Sequence, residues 1–261
     1  MLLNEKVIVV TGAARGIGLA IAKFAHQQGA SIVLHDRPKS QLQSIAEQFA
    51  DQVTYIEADL ADEHNAERII NAAVETFGRI NGLVNCAGIY PRSDIDTSRS
   101  LFDSVMAVNV KAPMLLSQHA VKHMKMQKQG GSIVNIGSIN AHCGQPDLLV
   151  YSMSKGALMT MTRNLADALT TDGIRVNQLN VGWTATETEV ALKQREGLGK
   201  DWQRRIPTLY APRGQILKPE EIAPHVAFWL SDWSAPVSGA VYELEQYPVI
   251  GRNRICDISL S

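Results

Sequence analysis

Four consecutive apolar residues, Val7-Ile8-Val9-Val10, run straight into Thr11-Gly12-Ala13-Ala14-Arg15-Gly16-Ile17-Gly18. A strand with one face in water alternates polar and apolar residues. A run with no polar member needs apolar cover on both faces, as in a parallel sheet held between two helical layers. The glycines then end the strand and open a helix, which is how a βα unit begins. Similar short runs over 31–35, 53–58, 82–85, 132–137, 175–179 and 240–244 alternate with helical patterns, so seven strands are expected. Right-handed crossovers between them give a doubly wound parallel α/β fold, with the strand order 3-2-1-4-5-6-7 expected. Gly29 stops the first helix, and Gly130-Gly131 separates a long helix from the fifth strand. A chain of 261 residues suits one such domain. The rhythm breaks over 184–218, where Trp202, Leu209 and Tyr210 mix with Arg195, Arg204, Arg205 and Arg213. That stretch is expected to be a lid over a ligand.

Glycines at 12, 16 and 18 let a backbone approach a pyrophosphate, and the helix N-terminus behind them favours negative charge. The spacing is Gly-x-x-x-Gly-x-Gly rather than the Gly-x-Gly-x-x-Gly dinucleotide fingerprint. Eighteen residues past Gly18, Asp36 closes the second strand, where a carboxylate can accept both hydroxyls of an adenosine ribose and repel a 2′-phosphate. NAD is therefore expected over NADP, with Arg15 and Arg37 as solvated neighbours. Further along, Tyr151 and Lys155 lie four residues apart, on one face of a helix, and Ser138 lies thirteen residues before the tyrosine. A phenol titrates near ~10, and a neighbouring ammonium lowers that toward working pH. Tyr151 then suits proton exchange with an alcohol or carbonyl, with Ser138 holding the oxygen.

In order and spacing, these motifs resemble the short-chain dehydrogenase/reductase family over about the first 230 residues. The matching positions are Thr11-Gly12-x-x-x-Gly16-x-Gly18, Asp59-Leu60, Asn85-Cys86-Ala87-Gly88, Asn109, Ser138, Tyr151-x-x-x-Lys155, Asn180-Val181-Gly182 and Pro219-Glu220-Glu221-Ile222-Ala223. The resemblance implies a Rossmann-like fold with Ser138, Tyr151 and Lys155 as catalytic core and Asn109 supporting a proton relay. It places Gly12, Arg15, Gly16, Ile17 and Gly18 at the dinucleotide phosphates. It also implies that Asp59 and Leu60 hold the adenine, that Asn85, Ala87 and Gly88 pass under the ribose, and that Lys155 holds the nicotinamide ribose. Val181 and Gly182 would pack beside the nicotinamide, with Thr186, or as second candidate Thr184, at its carboxamide. The chain departs from the family where Cys86 stands for asparagine, Val181 for proline, and Leu244-Glu245-Gln246-Tyr247 for Val-Asp-Gly-Gly.

Residues after Ser138, namely Asn140, His142 and Gln145, are expected at the substrate, together with Trp183, Tyr90, Arg92 and Glu187. Hydrogen-bonding groups of this kind suit a sugar, polyol or sugar-derived acid better than a steroid or acyl chain. A lone histidine is more often satisfied within its own loop. Twenty-five basic residues against 26 acidic ones give a net charge of −1, so nothing draws this chain to nucleic acid or to an anionic membrane. No apolar run reaches spanning length and no signal peptide is seen, so a cytoplasmic location is expected. Cys86, Cys143 and Cys256 lack metal or disulfide spacing, and no metal site is expected. The resemblance implies a homo-oligomer, a tetramer, assembled through helices around 100–127 and 151–171 and the last strand's edge. The apolar Tyr247-Pro248-Val249-Ile250 would join that contact, with Arg252 and Arg254 reaching toward an anionic substrate. A non-catalytic binder that senses the dinucleotide is the alternative, but it would not need Ser138, Tyr151, Lys155 and Asn109 together.

Overall fold

The computed structural model describes residues 1–199 and 201–250, so Arg252, Arg254 and Cys256 lie outside the described residues. Seven parallel strands form one sheet: β1 (Val7–Thr11), β2 (Ser31–Asp36), β3 (Val53–Glu57), β4 (Gly82–Asn85), β5 (Gly131–Ser138), β6 (Ile174–Val181) and β7 (Val241–Leu244). Their order is β3-β2-β1-β4-β5-β6-β7, as expected. Eight α-helices are described: α1 (Gly16–Gln27), α2 (Leu42–Ala46), α3 (Asn65–Phe77), α4 (Arg99–Met106), α5 (Ala112–Gln127), α6 (Leu149–Leu169), α7 (Glu187–Arg195) and α8 (Pro219–Leu230).

The apolar run that opens the chain is divided between two cores. Ile8 and Val10 pack in the cluster that holds Ile21, Ala22 and Ala25 of α1 with Ile222 and Val226 of α8. Val7 and Val9 pack on the opposite side with Ile69 and Ile70 of α3 and Leu116 and Ala120 of α5. Each fully buried side chain of this size contributes about 1.5–3 kcal/mol, so one polar residue in the run would spoil a layer. Strand order reverses at β1, which pairs with β2 on one side and β4 on the other, and ligands of doubly wound sheets bind outside the strand ends at such a point. β5 and β6 pair over eight residues, longer than their apolar runs suggested, and this brings Ser138 into register with Val181.

Residues 184–218 carry a small core of their own. Trp202, Ala211 and Ile216 are buried together, with Trp183, Val190 and Ile206 packed against them. Trp183 stacks on Trp202 at 5.4 Å between ring centres. A parallel bridge from Thr184 to Leu217 closes the base of the segment. Among the described residues no helix is long and apolar enough to cross a membrane.

Candidate active site

The cleft begins with the glycine turn after β1. Gly12 has φ +69°, and a Cβ there would lie 2.9 Å from Ala87 Cα; one on Gly18 would lie 2.1 Å from the Gly12 carbonyl oxygen. Side chains are thus excluded from the floor of the turn, leaving bare backbone. No side chain caps the α1 N-terminus and its first turn holds no acidic residue, so its N–H groups are available to an anion. Thr11 fixes this turn against β4: its hydroxyl accepts the N–H groups of Cys86 and Ala87 at 3.0 and 3.1 Å. Asp36 stands above it, Oδ2 accepting Ala14 N–H at 3.0 Å and Oδ1 accepting Arg37 N–H at 2.8 Å. Asp59 is exposed after β3, whereas Leu60 is buried in the α3–α5 core and Ile17 packs against the other. Asn85 turns inward, Nδ2 donating to Asn135 at 2.8 Å, while its buried Oδ1 has no partner among the described residues.

Ser138, Asn109, Tyr151 and Lys155 converge at the ends of β5 and α6. Ser138 accepts Asn140 N–H at 3.2 Å, and it is a polar neighbour of the Tyr151 phenol whose presence eases ionisation. Lys155 is 5% exposed; Nζ donates to Ile136 O at 2.7 Å and lies 5.7 Å from the Tyr151 ring centre. Asn109 sits in a π-helical turn, Ala107–Lys111, between α4 and α5, the kind of bulge that recurs at functional sites. Its side chain is fully engaged: Oδ1 accepts Ile89 N–H, and Nδ2 donates to Ile89 O and Ser154 Oγ. A relay through Asn109 is left with its main chain alone. Electrostatically the site departs from expectation. Burial carries the Tyr151 phenol up to about 12, opposed by neighbouring Ser138, and takes the Lys155 ammonium down to about 8. In the protein alone, desolvation therefore outweighs the expected help from Lys155.

Residues 12–245 match a family model described as Enoyl-(Acyl carrier protein) reductase. This chain belongs to the short-chain dehydrogenase/reductase family. It is 34% identical over 248 residues to L-rhamnose 1-dehydrogenase (NAD(P)(+)) of Azotobacter vinelandii, spanning 92% of this chain and 95% of that one. Two solved structures superpose with TM-score 0.82. One is a 3-ketoacyl-(acyl-carrier-protein) reductase from Brucella melitensis complexed with NADH, 29% identical over 92% of this chain and 97% of that one. The other, from Beutenbergia cavernae with bound NADP, is assigned as an NAD(P)-dependent gluconate 5-dehydrogenase; it is 30% identical over 93% and 96%. The dehydrogenase/reductase is thus an NAD(P)-linked oxidoreductase.

On the substrate side of this short-chain dehydrogenase/reductase, several of the expected residues already have partners within the protein. His142 is held within the protein, Nε2 lying 2.9 Å from Asn180 Nδ2 and 3.0 Å from Glu243 Oε1. Arg92 ion-pairs with Asp147 and with Glu196 at the end of α7, and Gln145 donates to Asp147 at 3.0 Å. Glu187 lies toward the glycine turn: a Cβ on Gly16 would meet its Oε2 at 3.7 Å and Thr186 Cγ2 at 3.2 Å. Thr186 caps α7, accepting Glu189 N–H at 3.1 Å, while the Thr184 hydroxyl turns back to Gly182 O. Two residues escaped the sequence reading. Glu245, beyond β7, accepts Trp183 N–H at 3.2 Å, and a Cβ on Gly182 would lie 1.9 Å from its Oε2. It pins the turn that lacks the family's proline, and burial raises its carboxyl above the ordinary range. Glu189 of α7 accepts the Trp183 indole N–H at 2.9 Å, and nothing in its local sequence marked it.

Proposed function

We propose that the enzyme interconverts a secondary alcohol and a ketone on a sugar, polyol or sugar-derived acid, using NAD in preference to NADP. The observation that carries this reading is the meeting of Ser138, Tyr151 and Lys155 beside the uncapped glycine turn. A bare-backbone cradle facing a free helix N-terminus fits a pyrophosphate, and Asp36 fits a ribose without 2′-phosphate. When bound, the dinucleotide supplies the hydride acceptor for oxidation or the donor for reduction. Tyr151 takes the hydroxyl proton in oxidation and returns it in reduction, while Ser138 holds the substrate oxygen. Lys155 supplies positive charge behind the phenol. Residues 184–218, built on their own small core and seated at the glycine turn through Thr186, serve as the lid.

The protein acts as a cytoplasmic homo-oligomer, a tetramer. Cys86 and Cys143 are unpaired, as suits a reducing compartment. Exposed Phe102, Met114, Met126, Leu149 and Met153 lie on α4, α5 and α6, where the subunits would meet. The test is a panel of sugars, polyols, aldonates and aromatic diols with NAD and NADP, read by absorbance of the reduced nicotinamide, alongside light scattering for mass. Turnover of a sugar or polyol with higher kcat/KM for NAD is expected. Dinucleotide binding without any turnover would overturn the reading in favour of a sensing binder.

A further inference from the structure

The lid helix α7, whose end is tied to Arg92 through Glu196, carries a carboxylate, Glu189, at the mouth of the cleft. Tyr90 lies between this carboxylate and the reacting phenol: its ring is 6.0 Å from that of Tyr151, and Thr186, the cap of α7, is a polar neighbour that eases its ionisation. One turn on, Glu189 is 15% exposed in its side chain. Its Oε1 is taken by the Trp183 indole, whereas no protein donor to Oε2 is seen among the described residues. The charge reaches both phenols, each of which it makes harder to ionise.

The cations on this mouth are already engaged. Lys193 Nζ lies 2.9 Å from Glu196 and 4.0 Å from Glu189, and Arg92 grips Glu196 and Asp147. Three carboxylates thus face two cations. Arg15, which also acts on Tyr90, belongs to the glycine turn. Lys155 lies behind the phenol and donates to Ile136 O, so at the mouth itself a carboxylate or phosphate on the substrate would meet surplus negative charge and find no unpaired cation in this group. A hydroxyl, by contrast, could donate to Glu189 Oε2.

We propose that Glu189 is a specificity-determining residue that selects neutral, hydroxyl-rich substrates over those carrying a carboxylate or phosphate close to the reacting carbon. This rests on the alcohol–ketone reading and divides its branches, since the relatives named above are described by a neutral sugar in one case and by an acid in the other. At an effective permittivity between water and protein interior, a like charge in close contact is worth about tenfold or more in kcat/KM.

The experiment compares kcat/KM for aldoses and alditols with that for the matching aldonates and sugar phosphates. It uses the wild type, Glu189→Gln and Glu189→Asp, with dinucleotide binding followed by nicotinamide fluorescence to show that each variant is folded. The wild type is expected to favour the neutral member by about tenfold or more. Glu189→Gln keeps an acceptor for the Trp183 indole and is expected to raise the anionic members about tenfold, collapsing the ratio. Glu189→Asp keeps the charge and is expected to keep the preference. A wild type that favours the anion overturns the proposal without touching the alcohol–ketone reading. So does a ratio that Glu189→Gln leaves unchanged. A wild type that turns over no alcohol or ketone removes both.

Discussion

Replacing Lys155 by methionine should make the protein inactive and, at neutral pH, more stable. In the folded protein without cofactor, burial holds the ammonium near 8, against 10.5 for the free side chain. At ~1.4 kcal/mol for each factor of ten, keeping this charge inside costs about 3 kcal/mol at pH 7. Between about 8 and 10.5 the unfolded chain carries a proton that the folded chain has lost, so the lysine's contribution improves as pH rises through that window. Cys86 works the other way. Burial raises its thiol from 9.0 to about 12, so above pH 9 the unfolded chain sheds a proton that the folded one keeps, and stability falls. The comparison with Lys155→Met removes most of this second effect. Methionine keeps the stem but loses the hydrogen bond to Ile136 O, at a cost of about 1 kcal/mol. The variant should therefore be about 2 kcal/mol more stable at pH 7, the advantage shrinking to nothing and reversing by pH 10. Urea unfolding followed by tryptophan fluorescence, at matched protein concentration from pH 7 to 10, measures it. A variant less stable at pH 7, with a difference that stays flat with pH, would refute the reasoning.

Tyr151→Phe should lower kcat about 10²–10⁴-fold with dinucleotide affinity nearly unchanged, because the phenol acts only in proton transfer; turnover within a few-fold of wild type in stopped-flow or steady-state assays excludes it as the acid–base group. Asp36→Ala should weaken NAD about tenfold and improve relative use of NADP, since it removes an acceptor for the ribose as well as the brace on Ala14 N–H; a wild type that already favours NADP in kcat/KM would mean that Arg15 and Arg37 govern the choice. Gly18→Ala should push α1 off the glycine turn and cost about 1–3 kcal/mol together with dinucleotide binding; wild-type melting temperature and affinity in that variant would show that the turn yields freely.

Where the sequence was legible, a backbone requirement had no substitute. Val7-Ile8-Val9-Val10 could only be buried on both faces, and both cores claim it. Gly12 and Gly18 mark places where a Cβ meets backbone rather than a movable side chain. The helical spacing of Tyr151 and Lys155 likewise carried over to the fold, although their electrostatics did not. Spacing fixes which groups are neighbours, while the balance of desolvation and charge depends on how much protein surrounds them.

Polar side chains were harder to place, and the reason is visible in one buried chain of hydrogen bonds. Asn85 donates to Asn135, Asn135 to Thr162, Thr162 to Gln178 and Gln178 to Asn180, which reaches His142 and, beyond it, Glu243. Each of these residues, read locally, is a polar group asking for a ligand or for water. In the fold each meets a partner from another strand or helix, because a buried amide without one costs a few kcal/mol. Among the described residues, the one buried side-chain atom of this series left without a partner is Asn85 Oδ1. The same holds at the mouth of the cleft, where Arg92 and Gln145 reach Asp147. Glu245 is the converse case: it belongs to the motif after β7 that departs from the family's, and its carboxylate takes the Trp183 N–H and fills the space that Gly182 leaves open. What a polar residue does around this cleft is decided by the partners the fold brings to it, and at Glu189 the Trp183 indole takes one carboxylate oxygen and leaves the other with no protein donor among the described residues.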